Sequence, residues 1–144
     1  MKLEIVTPEK KVYEGEVDQV TLTTTEGQIT VLPHHLPVFT QLAAGEITAK
    51  KDGKPIPLAS GGGFAEITGD KVSVLTDLAQ SPEEIDEKTV LEAKKRAEEA
   101  MKEKHILSEE EFAATAAALE KALAQLKVKR RHRPATTPRT ETSI

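Results

Sequence analysis

The chain has 144 residues, a net charge of -4 and no cysteine, which leaves room for one domain with a small appendage and excludes a large multidomain enzyme, disulfides and Cys-based metal or thiol chemistry. No apolar run approaches the roughly 18 residues that cross a bilayer, and the amino terminus lacks the apolar core of a secretion signal, so the chain is expected to stay in the compartment where it is made. Overall acidity, with three Phe and one Tyr, argues against non-specific nucleic-acid binding and leaves no stacking platform for bases.

Residues 1 to 80 read as short strands separated by turn signals. The candidates are Lys2 to Thr7, Lys11 to Glu14, Val17 to Thr25, Gln28 to Leu32, Val38 to Leu42, Glu46 to Lys51, Lys54 to Leu58, Gly63 to Thr68 and Lys71 to Asp77. Val20/Leu22, Ile29/Val31 and Val72/Val74 alternate with polar neighbours, the two-residue period of a strand buried on one face. Glu26-Gly27 lies between two such runs, where glycine accepts the positive φ of a tight turn; Asp52-Gly53 and Gly69-Asp70 are further turn candidates. Pro33 and Pro37 fix φ on either side of His34-His35, giving a stiff, solvent-facing corner that is a candidate contact surface. About nine or ten strands at this spacing predict a sandwich or flattened barrel. Gly61-Gly62-Gly63 is followed by neither Lys-Ser/Thr nor a helix, so a bulge or close backbone approach at a strand start is expected there, in place of a phosphate cradle.

The period changes after Gln80. Ser81-Pro82-Glu83-Glu84 has the form of a helix start and Asp86 is a competing cap, so a helix begins between Ser81 and Glu87. Val90, Ala93, Ala97, Ala100 and Lys104 then follow three- and four-residue spacing. Ser108 with Glu111 forms a second capping box, and Phe112, Ala116, Leu119, Leu123 and Leu126 carry a second stripe. The predicted class is α+β: an amino-terminal β-sandwich over 1–80, an antiparallel two-helix hairpin over 81–131 and a disordered tail over 132–144, rich in Pro and Thr. A stripe made largely of alanine buries little area at about 25 cal/mol per Å², so the hairpin is held by a small margin and is suited to opening.

Catalytic chemistry is poorly represented. His34 and His35, adjacent in extended backbone, point to opposite faces and do not converge on a metal. Asp70, Asp77 and Asp86 suit a turn, a strand end and a helix cap, and no Ser/His/Asp order stands out. Charge is unevenly spread, with 11 acidic and 6 basic residues from Glu83 to Glu111 but 6 basic and no acidic ones from Lys127 to Arg139. This cationic strip either complements the negative end of a helix dipole or docks on an acidic partner surface.

Glu26-Gly27, Val31-Leu32-Pro33-His34-His35-Leu36-Pro37, Gly61-Gly62-Gly63-Phe64-Ala65-Glu66-Ile67, Ile85-Asp86, Glu92-Ala93-Lys94-Lys95-Arg96-Ala97-Glu98-Glu99 and Ala122-Leu123-Ala124-Gln125-Leu126-Lys127-Val128, in that order, resemble the bacterial F-type ATP synthase epsilon subunit over residues 1 to about 128. The resemblance implies a non-catalytic rotor subunit of the central stalk of a proton-translocating ATP synthase, peripheral at the cytoplasmic face of the bacterial plasma membrane and coupling the catalytic head to the c-ring. Its implied partners are the gamma subunit, the c-ring and the alpha/beta hexamer, with no nucleic acid and no direct membrane span. Gln28, Ile29, Pro33 and His35 become the c-ring contact positions. In that family the hairpin folded on the sandwich permits ATP hydrolysis and, extended along gamma, obstructs it; the resemblance then implies that the extended form sets Lys121, Lys127, Lys129, Arg130 and Arg131 against an acidic region of beta. No cofactor is required. Some members bind ATP as a regulatory ligand through Ile/Leu-Asp-x-x-Arg-Ala and a second Arg seven residues on. Here Asp86 and Arg96 match, but Thr89 replaces the first Arg and removes one phosphate-pairing cation, so Asp86 is expected to act as a cap and Arg96 as a surface charge. The alternative function is a free-standing nucleotide-sensing module, distinguished by ATP binding without any partner.

Overall fold

The computed structural model describes residues 1–132. Ten strands come first: β1 (Lys2–Val6), β2 (Lys11–Glu16), β3 (Gln19–Thr24), β4 (Gly27–Val31), β5 (Val38–Leu42), β6 (Gly45–Lys51), β7 (Lys54–Ser60), β8 (Gly63–Thr68), β9 (Lys71–Thr76) and β10 (Ala79–Gln80). Two helices follow, α1 (Glu87–Met101) and α2 (Glu109–Arg131). Alternation places Leu3 and Ile5, Val20 and Leu22, Ile47 and Ala49, Ala65 and Ile67, and Val72 and Val74 on inward faces, where each is at most 2% exposed. These residues form one core.

The strand order is β10-β7-β6-β3-β5-β8-β9-β1-β2, with β4 paired to β3 off this path. β3 and β5 share a single pair, Thr24 with Leu42, and there the sheet turns over to face itself as a sandwich. β1 runs parallel to β9, while the other pairings described are antiparallel. Nine strands coincide with the predicted runs. β10 was not predicted as an element, because two residues are too few to show a period; its pairing with Ser60 and Ala59 on β7 defines it.

Turn chemistry follows the sequence closely. Gly27 has φ +116° at the β3–β4 turn, and Asp52 and Gly53 have φ +52° and +79° between β6 and β7. Gly63 opens β8 at φ +156°, where a Cβ would lie 1.9 Å from the Leu75 carbonyl oxygen of β9. The triple-glycine run therefore serves a close backbone approach. His34 also takes a positive φ, +68°, in the Pro-flanked corner.

Both proposed helix starts are used, for different elements. The Ser81 amide donates to the Glu84 carboxylate across a short 3₁₀ turn, Pro82–Glu84, whereas Asp86 caps α1 by accepting from the Lys88 amide and the Thr89 hydroxyl. Ser108 and Glu111 form the capping box of α2. These bonds hold the carboxyls of Glu84 (chiefly the Ser81 amide), Asp86 (chiefly the Thr89 hydroxyl) and Glu111 (chiefly the Ser108 amide) below their ordinary values. A carboxyl depressed in the folded state adds stability above its unfolded value and loses it as pH falls through the folded one. Helical circular dichroism is therefore expected to hold steady down to about pH 5 and to decline below about pH 4; a loss of helix on raising the pH through this range would contradict the assignment.

Candidate functional site

The outer face of one layer carries apolar residues out of phase with the core. Phe39 on β5, Phe64 on β8 and Leu75 on β9 are 68%, 46% and 59% exposed. The Phe39 and Phe64 rings stack with centroids 5.4 Å apart. Phe64 is paired with Leu75, and Leu75 with Val6, so the band crosses four strands. Leu32, Leu36 and Val38 extend exposed apolar surface into the β4–β5 corner. An apolar band of this kind on an otherwise charged protein is a candidate contact surface.

The four residues expected to meet a c-ring are not brought together. Gln28 lies beside the β3–β4 turn and Ile29 in the middle of β4, while Pro33 and His35 follow Val31, beyond the far end of the strand. Four steps of about 3.3 Å separate the two ends of β4 by some 13 Å. Gln28 instead lines an open cleft of about 620 Å³ beside α2, together with Glu46, Leu123, Lys127 and Arg131. In the corner, the His34 ring approaches Asp70 at 3.7 Å, and His35 Nδ1 lies 2.7 Å from its neighbour's carbonyl at Leu36. Among the described residues no group of three or more His, Asp or Glu side chains is placed to hold a metal.

α2 meets the sandwich with its second half. Ala122, Leu126 and Val128 join Ala59, Ile85 and Val90 in a small second core. The predicted α2 stripe needs correction here: Leu126 is buried, but Leu123 is 44% exposed and Phe112, Ala116 and Leu119 are only half-buried. A helix that touches α1 on one side and β6 and β7 on another buries a wider, rotated arc, so Ala122, Ala124, Leu126 and Val128 replace the simple stripe. On α1 the expected residues fare better, with Val90 and Ala97 buried and Ala93 and Ala100 half-buried.

A polar row runs through the middle of this seam. Lys121 pairs with Asp77 at 3.1 Å, the Gln125 amide donates to Gln80 at 2.7 Å, and the Lys129 ammonium donates to the Pro82 carbonyl at 2.8 Å. These three side chains repeat every four residues along one helix face. Arg130 then pairs with Glu87 at 3.3 Å and Arg131 with Glu46 at 3.4 Å, while His132 Nε2 lies 3.1 Å from the same Glu46. Of the five cations expected to contact beta, four thus have partners within the chain, and Lys127 lines the cleft. His132, placed in the predicted tail, ends α2 instead; 133–144 lie outside the described residues. Strand periodicity offered no sign of Glu46, Asp77 or Gln80, because they sit on outer or terminal positions where polar residues are unremarkable. Asp86 is occupied as the α1 cap, and Arg96 is exposed one helical face away from buried Ala97.

Two family models divide this architecture between them. Residues 1–82 match "ATP synthase, Delta/Epsilon chain, beta-sandwich domain" and residues 83–130 match "ATP synthase, Delta/Epsilon chain, long alpha-helix domain". The chain belongs to the ATP synthase delta/epsilon family. It is 44% identical over 127 residues to the ATP synthase epsilon chain of Caldanaerobacter subterraneus subsp. tengcongensis, covering 88% of this chain and 91% of that one. The ATP synthase epsilon chain of Dehalococcoides mccartyi is 45% identical over 139 residues, covering 93% and 96%. A chain of the Euglena gracilis mitochondrial ATP synthase, solved as OSCP/F1/c-ring, aligns with a TM-score of 0.73 and 25% identity, covering 87% of this chain and 78% of that one. A central stalk/c-ring chain from Tetrahymena thermophila shares the fold at a TM-score of 0.58 and 14% identity, covering 90% and 96%. Membership of the delta/epsilon family makes this a non-catalytic stalk subunit of the ATP synthase. Among the described residues no helix is long and apolar enough to cross a membrane.

Proposed function

We propose that the chain is an epsilon-type rotor subunit that joins gamma to the c-ring and restrains ATP hydrolysis through its helical hairpin, at the cytoplasmic face of a bacterial plasma membrane. The observation that carries this reading is the exposed band Phe39, Phe64 and Leu75, with half-buried Val6 beside it, which gives the sandwich an apolar docking face. Gamma is its proposed occupant. Since a rigid sandwich meets a flat ring with one end, the ends of β4 are assigned separately. Thr25, Glu26, Gly27 and Gln28 are exposed and polar, and with half-buried Ile29 behind them they suit the aqueous loops of a membrane-embedded ring. Pro33 and His35 stand among Leu32, Leu36 and Val38, beside the apolar band, and go with gamma.

The hairpin has the properties an opening element needs: a second core of six residues, two of them alanine, and a seam whose remaining contacts are polar. Lys121, Lys129, Arg130 and Arg131 would exchange their internal partners for the acidic region of beta on extension. No cofactor is required by this reading. Asp86 is committed to its cap and Thr89 donates to it, so the phosphate-binding fork of an ATP site is incomplete.

Three measurements test these assignments. Phe39→Asp should weaken copurification with gamma, by about 30-fold in affinity for a central apolar anchor; full retention would remove gamma from this face. Truncation after Gln80 should leave assembly intact and raise ATPase activity of the complex, and unchanged activity would sink the inhibitory role. Calorimetric titration of the isolated chain with millimolar ATP should give no binding heat, whereas saturable binding would favour a nucleotide-sensing module.

A further inference from the structure

We infer that Glu46 is the catch that holds the hairpin closed, an internal acidic site competing with any acidic partner for the cations at the end of α2. The inference rests on the reading of the hairpin as a movable element. Glu46 lies near the start of β6, on the outer face covered by α2. Its side chain is 9% exposed, against 54% for Asp77 and 28% for Glu87, the other acids paired to α2. One carboxylate oxygen faces Arg131; the other faces His132 and accepts from the Thr48 hydroxyl. Lys50 on β6, and Glu120 and Lys127 on α2, complete the charged surroundings of the flanking clefts.

The position makes the contact conditional. A carboxylate beside the carboxy-terminal turn of a helix faces the negative end of the macrodipole and the unsatisfied carbonyls there, which by themselves repel it. The Arg131 guanidinium reverses that sign, and the His132 ring adds a polar partner. A largely water-excluded carboxylate deprived of its cation is also costly, so the closed state is favoured while both sides are present and disfavoured when either is lost. Because α2 spans about 34 Å and only its second half rests on the sandwich, an anchor at its last turn controls the whole docked segment.

The test uses hydrogen exchange on the full-length isolated chain, with the protection of β1, β8 and β9 as the check on folding. Glu46→Gln keeps the shape and an acceptor for Thr48, and should accelerate exchange across residues 120–131 about tenfold, discounted for the exposure of Arg131. Arg131→Glu should do the same, and Glu46→Arg combined with Arg131→Glu should restore protection. Unchanged exchange in Glu46→Gln would overturn the catch, as would a folded double variant without recovery. In the assembled ATP synthase, Glu46→Gln should deepen inhibition of hydrolysis; faster exchange with unaltered inhibition would uphold the catch and refute the inhibitory role of the hairpin.

Discussion

Burial of one face of every strand against the opposite layer is the constraint from which the rest of this molecule follows. The core draws Leu3, Ile5, Val20, Leu22, Ile47, Ile67, Val72 and Val74 from both layers of a sheet that turns on a single residue pair, Thr24 with Leu42. With the interior satisfied, the two outer faces are free to differ. One carries the Phe39–Phe64–Leu75 band, and the other, formed by β6 and β7, receives α2. The apolar band and the docked hairpin thus occupy separate surfaces of one body, and a change on either face need not disturb the fold that supports both.

The hairpin follows a different economy. Its attachment rests on six buried side chains and a row of polar contacts, and polar contacts at a surface contribute little net stability while fixing position well. Such a seam holds register without holding tightly. In the opening proposed above, the cations that dock α2 would be freed for a partner, and a partner could tip the balance only by its differential affinity for the two states.

Much of this was legible in the residues. Strict alternation located nine strands, and Gly27 and Asp52-Gly53 announced their turns, since short-range sterics decide both. The Ser81 and Asp86 helix signals were both real, one starting a 3₁₀ turn and the other α1. Leu123 was misplaced because a stripe read at a single helical period assumes one neighbour, and α2 has two. Gln28, Ile29, Pro33 and His35, which the family resemblance groups as one contact, are strung along β4, with Gln28 near its start, Ile29 in its middle and the Pro33–His35 corner beyond its end. The apolar band did leave a trace: Phe64 and Leu75 share the phase of Glu66 and Ser73, an apolar residue on the polar beat of a strand.

By itself the sequence determined what is local: periods of two and of 3.6 residues, caps, turn glycines and the family motifs, all properties of neighbours within a few positions. Only the tertiary structure decided which outer face carries the apolar band, which arc of α2 is buried, and that Glu46 meets Arg131 and His132. Those partners lie 85 and 86 residues away. Contacts at that separation depend on how the sheet folds over and where the hairpin comes to rest, and no local pattern of polar residues on an exposed strand face encodes them.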